Sequence, residues 1–171
     1  MSSTKFLSYP EVLALVGPRS FHAFLEQYQR TLLWSETLED ILASFPLDST
    51  DIEITISDET YLTLIDDSLG FLRDLFQSTD PAIVQFRRYR NLEQEDGSDN
   101  QDNRNIWQSM AHGLVLSRNG HGAGFWDGDW EVWNIPGLGD ALHALAKAQG
   151  ERHLCGHRLD DEQDSYLVYV F

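Results

Sequence analysis

The stretch from Arg118 to Asp127, Arg-Asn-Gly-His-Gly-Ala-Gly-Phe-Trp-Asp, constrains this chain more than any other. It holds three glycines, a histidine, a cation, an anion and two aromatics in ten positions. Such a mixture marks a specified turn, a binding surface or both. Asn119-Gly120 reads as a hairpin turn, because both residue types tolerate positive φ. Leu114, Val115 and Leu116 then form the strand entering the turn, and Phe125-Trp126 begin the returning strand. Gly122 and Gly124 add bulged or closely approached backbone. Arg118 and Asp127 pair across the mouth, and His121 sits at the tip. Read structurally, this is a rigid hairpin whose polar groups satisfy one another. Read functionally, it is a recognition loop carrying Arg118, Asn119, His121, Trp126 and Asp127.

Punctuation divides the rest. Ser8 caps a short helix with Pro10 in its first turn, stopping before Gly17. Ser20 caps a second, with Phe21, Phe24, Leu25, Tyr28 and Leu32 at helical spacing. Ser35 caps a third that ends at Pro46. Ile52, Ile54 and Ile56 alternate as a short strand. Leu62, Ile65, Leu69, Leu72 and Phe76 make a long amphipathic helix, with Asp66, Asp67 and Asp74 near its wet side. Asp80-Pro81 opens another helix. Residues 93–103 are almost wholly polar and read as a loop or linker. A helix covers Leu138 to Gln149, stopped by Gly150. Glu151 to Arg158 and the Tyr166–Phe171 tail are β-prone. The expected fold is α+β. An acidic, mainly helical part over 1–92 is joined by 93–103 to a 104–171 part, where a small antiparallel β-sheet packs with one helix.

The motif also carries a resemblance. Ala111-His112, the Arg118–Asp127 run, Leu138-Gly139-Asp140 and Ala146-Lys147-Ala148 resemble a family of small phage and mobile-element proteins. Its members carry TRNGHGAGFWDR followed by LGD and AKA. The likeness covers about residues 111–150. Gly113-Leu114-Val115 stands where that family has Asp-Phe-Trp, and Gly128 where it has a basic residue. The resemblance implies a bacteriophage or mobile-element setting and no particular reaction.

Charge narrows the function classes. Twenty-eight acids face twelve Lys and Arg, a net charge of −16. No Lys or Arg occurs between Arg30 and Arg73, an interval holding Glu36, Glu39, Asp40, Asp58, Glu59, Asp66 and Asp67. Such a surface repels phosphate backbones and attracts basic protein grooves, so direct nucleic-acid binding is disfavoured. With 42% hydrophobic residues a sizeable core is expected. No membrane span and no signal peptide are expected, and a lone Cys155 suits a reducing cytoplasm.

The leading expectation is an acidic inhibitor of a bacterial defence complex, working in the host cytoplasm. It would occupy a basic nucleic-acid-binding groove as a DNA mimic of anti-CRISPR or anti-restriction type. Its partner-facing residues would be Glu36, Glu39, Asp40, Asp58, Glu59, Asp66 and Asp67, with the motif residues above. No cofactor or metal is expected, and oligomeric state stays open. Two alternatives are a metal-assisted hydrolase centred on His121 and Asp127, and a phage structural or assembly factor. His153, Cys155 and His157 alternate as a thiolate–imidazole pair would, but a structural cysteine is the simpler reading. Arg87, Arg88 and Arg90 form a basic cluster that fits neutralisation of the preceding helix. Trp126, Trp130 and Trp133 fit core packing better than a ligand groove.

Overall fold

A computed structural model describes residues 6–35, 53–90, 101–158 and 165–170. Among these residues six α-helices dominate: α1 (Tyr9–Val16), α2 (Pro18–Ser35), α3 (Asp58–Gln77), α4 (Pro81–Arg90), α5 (Gln101–Arg118) and α6 (Leu138–Ala148). A 3₁₀ turn covers Asp129–Trp133. Three short strands complete the order: β1 (Glu53–Ile56), β2 (Leu154–Arg158) and β3 (Ser165–Val170).

Capping chemistry fixes several helix starts. Ser8 and Glu11 form a reciprocal capping box on α1, the Ser8 N–H lying 2.8 Å from Glu11 Oε2. Ser57 Oγ accepts from the Thr60 N–H at 3.1 Å to open α3. Asp80 Oδ1 accepts from the Ala82 N–H at 2.9 Å to open α4. The α2 expectation is corrected. This helix begins at Pro18, directly after Gly17 at φ +82°, so Ser20 lies inside it rather than capping it. The expected third helix after Ser35 lies outside the described residues, as do Glu36, Glu39 and Asp40.

The fold class is corrected where the motif begins. No hairpin forms at Asn119-Gly120, and no strand runs through Leu114–Leu116. These residues end an 18-residue helix whose Ile106, Trp107, Met110, Ala111, Leu114 and Val115 are buried. Their spacing of one and three is helical. The helix stops in a Schellman turn. Gly120 at φ +73° donates its N–H to the Ser117 carbonyl at 3.4 Å, and His121 donates to the Leu116 carbonyl at 3.0 Å. The polar 101–103 segment belongs to the first turn of α5.

The all-antiparallel sheet expected within the C-terminal part is replaced by a mixed three-stranded one. β3 lies between β2, which it pairs antiparallel, and β1 from the first half of the chain, which it pairs parallel with Glu53 opposite Ser165. β3 packs against α3. The protein is thus mainly helical, with α5 laid along α2 and one continuous apolar core drawing on α1 through α6.

Candidate functional site

Arg118 is the largest buried polar side chain, with no exposed surface. A buried guanidinium is tolerable only when its donors are satisfied. Its Nε donates to the Gly150 carbonyl at 2.6 Å and its Nη2 to the Gln149 carbonyl at 3.0 Å. Its Nη1 donates to the Tyr28 hydroxyl and, at 3.0 Å, to Asp67 Oδ2. Asp67 also receives Arg152 on both oxygens, at 2.7 and 3.0 Å. Burial alone would raise the Asp67 carboxyl, yet the hydrogen bonds and charges of Arg152 and Arg118 outweigh it and hold it below the usual carboxylate range. Burial, helped by the Asp67 charge, pushes the Tyr28 hydroxyl well above the ordinary tyrosine range against the opposing pull of Arg118. Asp67 therefore belongs to an internal latch joining α2, α3, α5 and the end of α6. It does not lie on the wet side of α3.

The rest of the motif is wired inward in the same way. Asn119 reads the backbone of Arg152 in both directions, donating to its carbonyl at 2.6 Å and accepting its N–H at 3.0 Å. Ser117 Oγ accepts from the Phe125 N–H at 2.9 Å. Gly124, at φ +148°, leaves the room this needs, since a Cβ there would lie 2.5 Å from Ser117 Oγ. Asp127 Oδ2 accepts from the Gly124 N–H at 3.1 Å, closing the loop locally instead of pairing with Arg118. Phe125 is fully buried, stacked on Phe71 at 6.2 Å and edge-on to Trp130 at 5.2 Å. Gly139 and Gly113 both press on Phe125. A Cβ would meet its carbonyl oxygen at 2.3 Å from Gly139 and its ring at 2.6 Å from Gly113. His121 has a buried Nε2 with no hydrogen-bond partner among the described residues, and Trp126 is half exposed.

Beside this latch lies a cleft of about 530 Å³; the sequence offered Trp130 and Trp133 as groove residues but favoured core packing, and it gave no sign of Trp34. Trp34, from the last turn of α2, and His112, from α5, line it with their rings 5.9 Å apart. Asp127, Asp129, Trp130 and Trp133 line it as well. Trp34 is 67% exposed. Trp133 is held by Phe86 and Tyr89 at 5.7 and 6.3 Å. No Lys or Arg lines the cleft among the described residues, and none occurs in the sequence between Arg118 and Lys147. That cation-free run was the available signal.

His112 Nδ1 lies 3.1 Å from Thr31 Oγ1, which is also within hydrogen-bond distance of the Gln27 carbonyl at 2.8 Å and of the Gln27 side-chain amide at 3.0 Å.

The remaining predicted residues are apart from this place. Asp58 and Glu59 are exposed in the first turn of α3, where they complement the helix dipole. Asp66 is exposed two turns later and faces Tyr9, whose hydroxyl is raised by burial and by Asp66. Arg87 is buried and donates to the Ser78 carbonyl at 3.2 Å, while Arg88 is exposed. Cys155 is exposed on β2, and His153 lies 3.4 Å from Glu151. His121 and Asp127 do not assemble a metal site: among the described residues no three His, Cys, Asp or Glu side chains converge as ligands. No helix of the described residues is long and apolar enough to cross a membrane. No family model matches the chain, and neither does any curated protein or solved structure.

Proposed function

We propose that this chain is an acidic binding protein, encoded by a phage or mobile element, that occupies the cation-lined nucleic-acid groove of a bacterial defence complex in the host cytoplasm. The observation carrying this reading is how the cations are spent. Arg118 and Arg152 turn inward onto the single carboxylate of Asp67. That trio holds a charge of +1, so the rest of the chain carries −17 of the formal −16. Arg30, Arg73 and Lys147 are engaged locally with Glu26, Asp74 and Glu151. Asp58, Glu59, Asp66, Asp127, Asp129, Glu131 and Asp140 are exposed and make no ion pair among the described residues. Uncompensated carboxylates on a rigid frame steer and hold a basic partner.

The test is affinity capture from bacterial lysate by the tagged protein at about 0.1 M and about 1 M salt, where screening lengths differ roughly threefold. The expected result is capture of a nucleic-acid-binding complex at low salt, released by high salt or added duplex DNA. Asp58→Lys/Glu59→Lys should weaken it while leaving the circular dichroism spectrum unchanged. Recovery of no nucleic-acid-binding protein at low salt overturns the proposal.

A further inference from the structure

We infer that the cleft between α2, α5 and the 3₁₀ turn is a receptor for an arginine side chain of the partner, its guanidinium stacked against Trp34 and Trp133 and its N–H groups donated to Asp129 and Asp127. This deepens the proposed function by naming the group the partner inserts.

The charged groups on the cleft walls point to one ligand chemistry. Asp129 has a carboxylate with no side-chain partner among the described residues. Asp127 is held in orientation because its oxygens accept from the Gly124 and Asp129 N–H groups at 3.1 and 3.4 Å. Each oxygen keeps a second lone pair for an incoming donor. His112 is tethered through Nδ1 to Thr31 at 3.1 Å. The site thus offers two carboxylates with indole rings beside them. An anion finds no charged donor there, and a neutral apolar group leaves the carboxylates unused. A planar, charged group with five donors uses both the acceptors and the ring faces. A compact ammonium uses the charge but not the planar stacking. The volume of about 530 Å³ accommodates one such side chain with part of its backbone.

The walls are also preorganised. Trp130 and Trp133 sit against Phe86, and Trp130 against Phe125, which Gly113, Gly139 and Ser117 lock in place. The motif latch therefore positions the cleft, and little ordering remains to oppose binding.

The experiment uses the full chain with ¹⁵N-labelled indoles, giving five Trp side-chain signals. It is titrated with the blocked tripeptide Gly-Arg-Gly and with its citrulline and lysine counterparts. Citrulline keeps the shape and removes the charge. The Trp34 and Trp133 signals should move saturably with the arginine peptide, while Trp126, outside the cleft, stays still. Citrulline should bind at least about tenfold more weakly, lysine should fall between, and Asp129→Asn should cost the arginine peptide about threefold or more. Equal binding of arginine and citrulline peptides, equal movement of Trp126, or no movement up to about 10 mM peptide overturns the assignment. The two readings fail separately. If host capture is lost in Asp58→Lys/Glu59→Lys but the titration is silent, the cleft assignment falls alone. If the peptide titrates as expected and no host complex is captured, the inhibitor reading falls alone.

Discussion

Removing Asp67 should damage this protein more than removing either arginine it holds. The reason is what each deletion leaves behind. Asp67→Ala strands Arg118, whose side chain has no exposed surface and whose carboxylate partner sat at 3.0 Å. An uncompensated buried charge of this kind costs about 3–5 kcal/mol. Arg152→Ala leaves Asp67 still paired with Arg118, and Arg152 itself is 32% exposed, so about 1–2 kcal/mol is expected. Arg118→Met leaves Asp67 with its two bonds to Arg152 and releases the Gln149 and Gly150 carbonyls near the surface. The double variant Asp67→Ala/Arg118→Met removes the stranded cation as well, so it should be more stable than Asp67→Ala alone. Urea unfolding followed by tryptophan fluorescence reads each free energy. For a chain of 171 residues the Asp67→Ala cost corresponds to a melting-point drop of about 6–20 °C. A double variant that is less stable than the single one, or an Asp67→Ala loss below about 1 kcal/mol, would refute the reasoning.

Three further outcomes follow from the same geometry. Asp67 has its folded pKa depressed, so its contribution is complete above about pH 5 and is lost as pH falls through the folded value; the stability gap between the native chain and Asp67→Asn should therefore narrow in acid and stay constant from about pH 5 to 8. Tyr28 is raised by burial, so alkaline titration at 295 nm should show it among the six tyrosines failing to ionise until the fold opens, and Tyr28→Phe should abolish that late phase. Gly139→Ala, with its Cβ 2.3 Å from a backbone oxygen, should cost on the order of 1–3 kcal/mol or prevent folding, whereas Gly122→Ala, with nothing within 4 Å and no positive φ, should stay within about 0.5 kcal/mol in thermal melts.

Helix starts and stops with a dedicated residue were readable in the chain: Ser8 with Glu11, Asp80 before Pro81, and Gly150 after α6 all act as their chemistry requires. The motif misled because two structures share its local signal. Asn-Gly suits a hairpin turn, yet glycine at positive φ equally ends a helix. The short apolar run Leu114–Leu116 fits a buried strand or a buried helix. What decides is eight residues upstream, where Ile106 and Trp107 extend the apolar stripe into a segment that looks polar and linker-like. The sheet was misjudged for a non-local reason. β3 is β-prone in its own right, but its parallel partner β1 lies more than a hundred residues earlier, and no local pattern encodes that pairing.

The site shows the same division between local and assembled information. Arg118, Asn119 and Asp127 stood out as unusual, and each does have a specific task, but the task is holding α5 to the end of α6 and closing one loop. Their chemistry signalled a constraint without saying whether the constrained object was the protein or a ligand. The cleft, by contrast, takes only Ala123, Gly124 and Asp127 from the motif, and two of its other residues look ordinary where they stand in the chain. Trp34 follows two leucines at the end of α2, and His112 sits among the apolar residues of α5. Only the packing of α5 along α2 brings those rings within 5.9 Å of each other and sets them in one cleft with Asp129. The proposed arginine receptor thus takes its scaffold from the motif, with Asp127 serving both loop closure and cleft, and its remaining acceptor and ring surface from residues outside it. Substitutions in the motif should accordingly lower stability and binding together, while Asp129→Asn should lower binding alone.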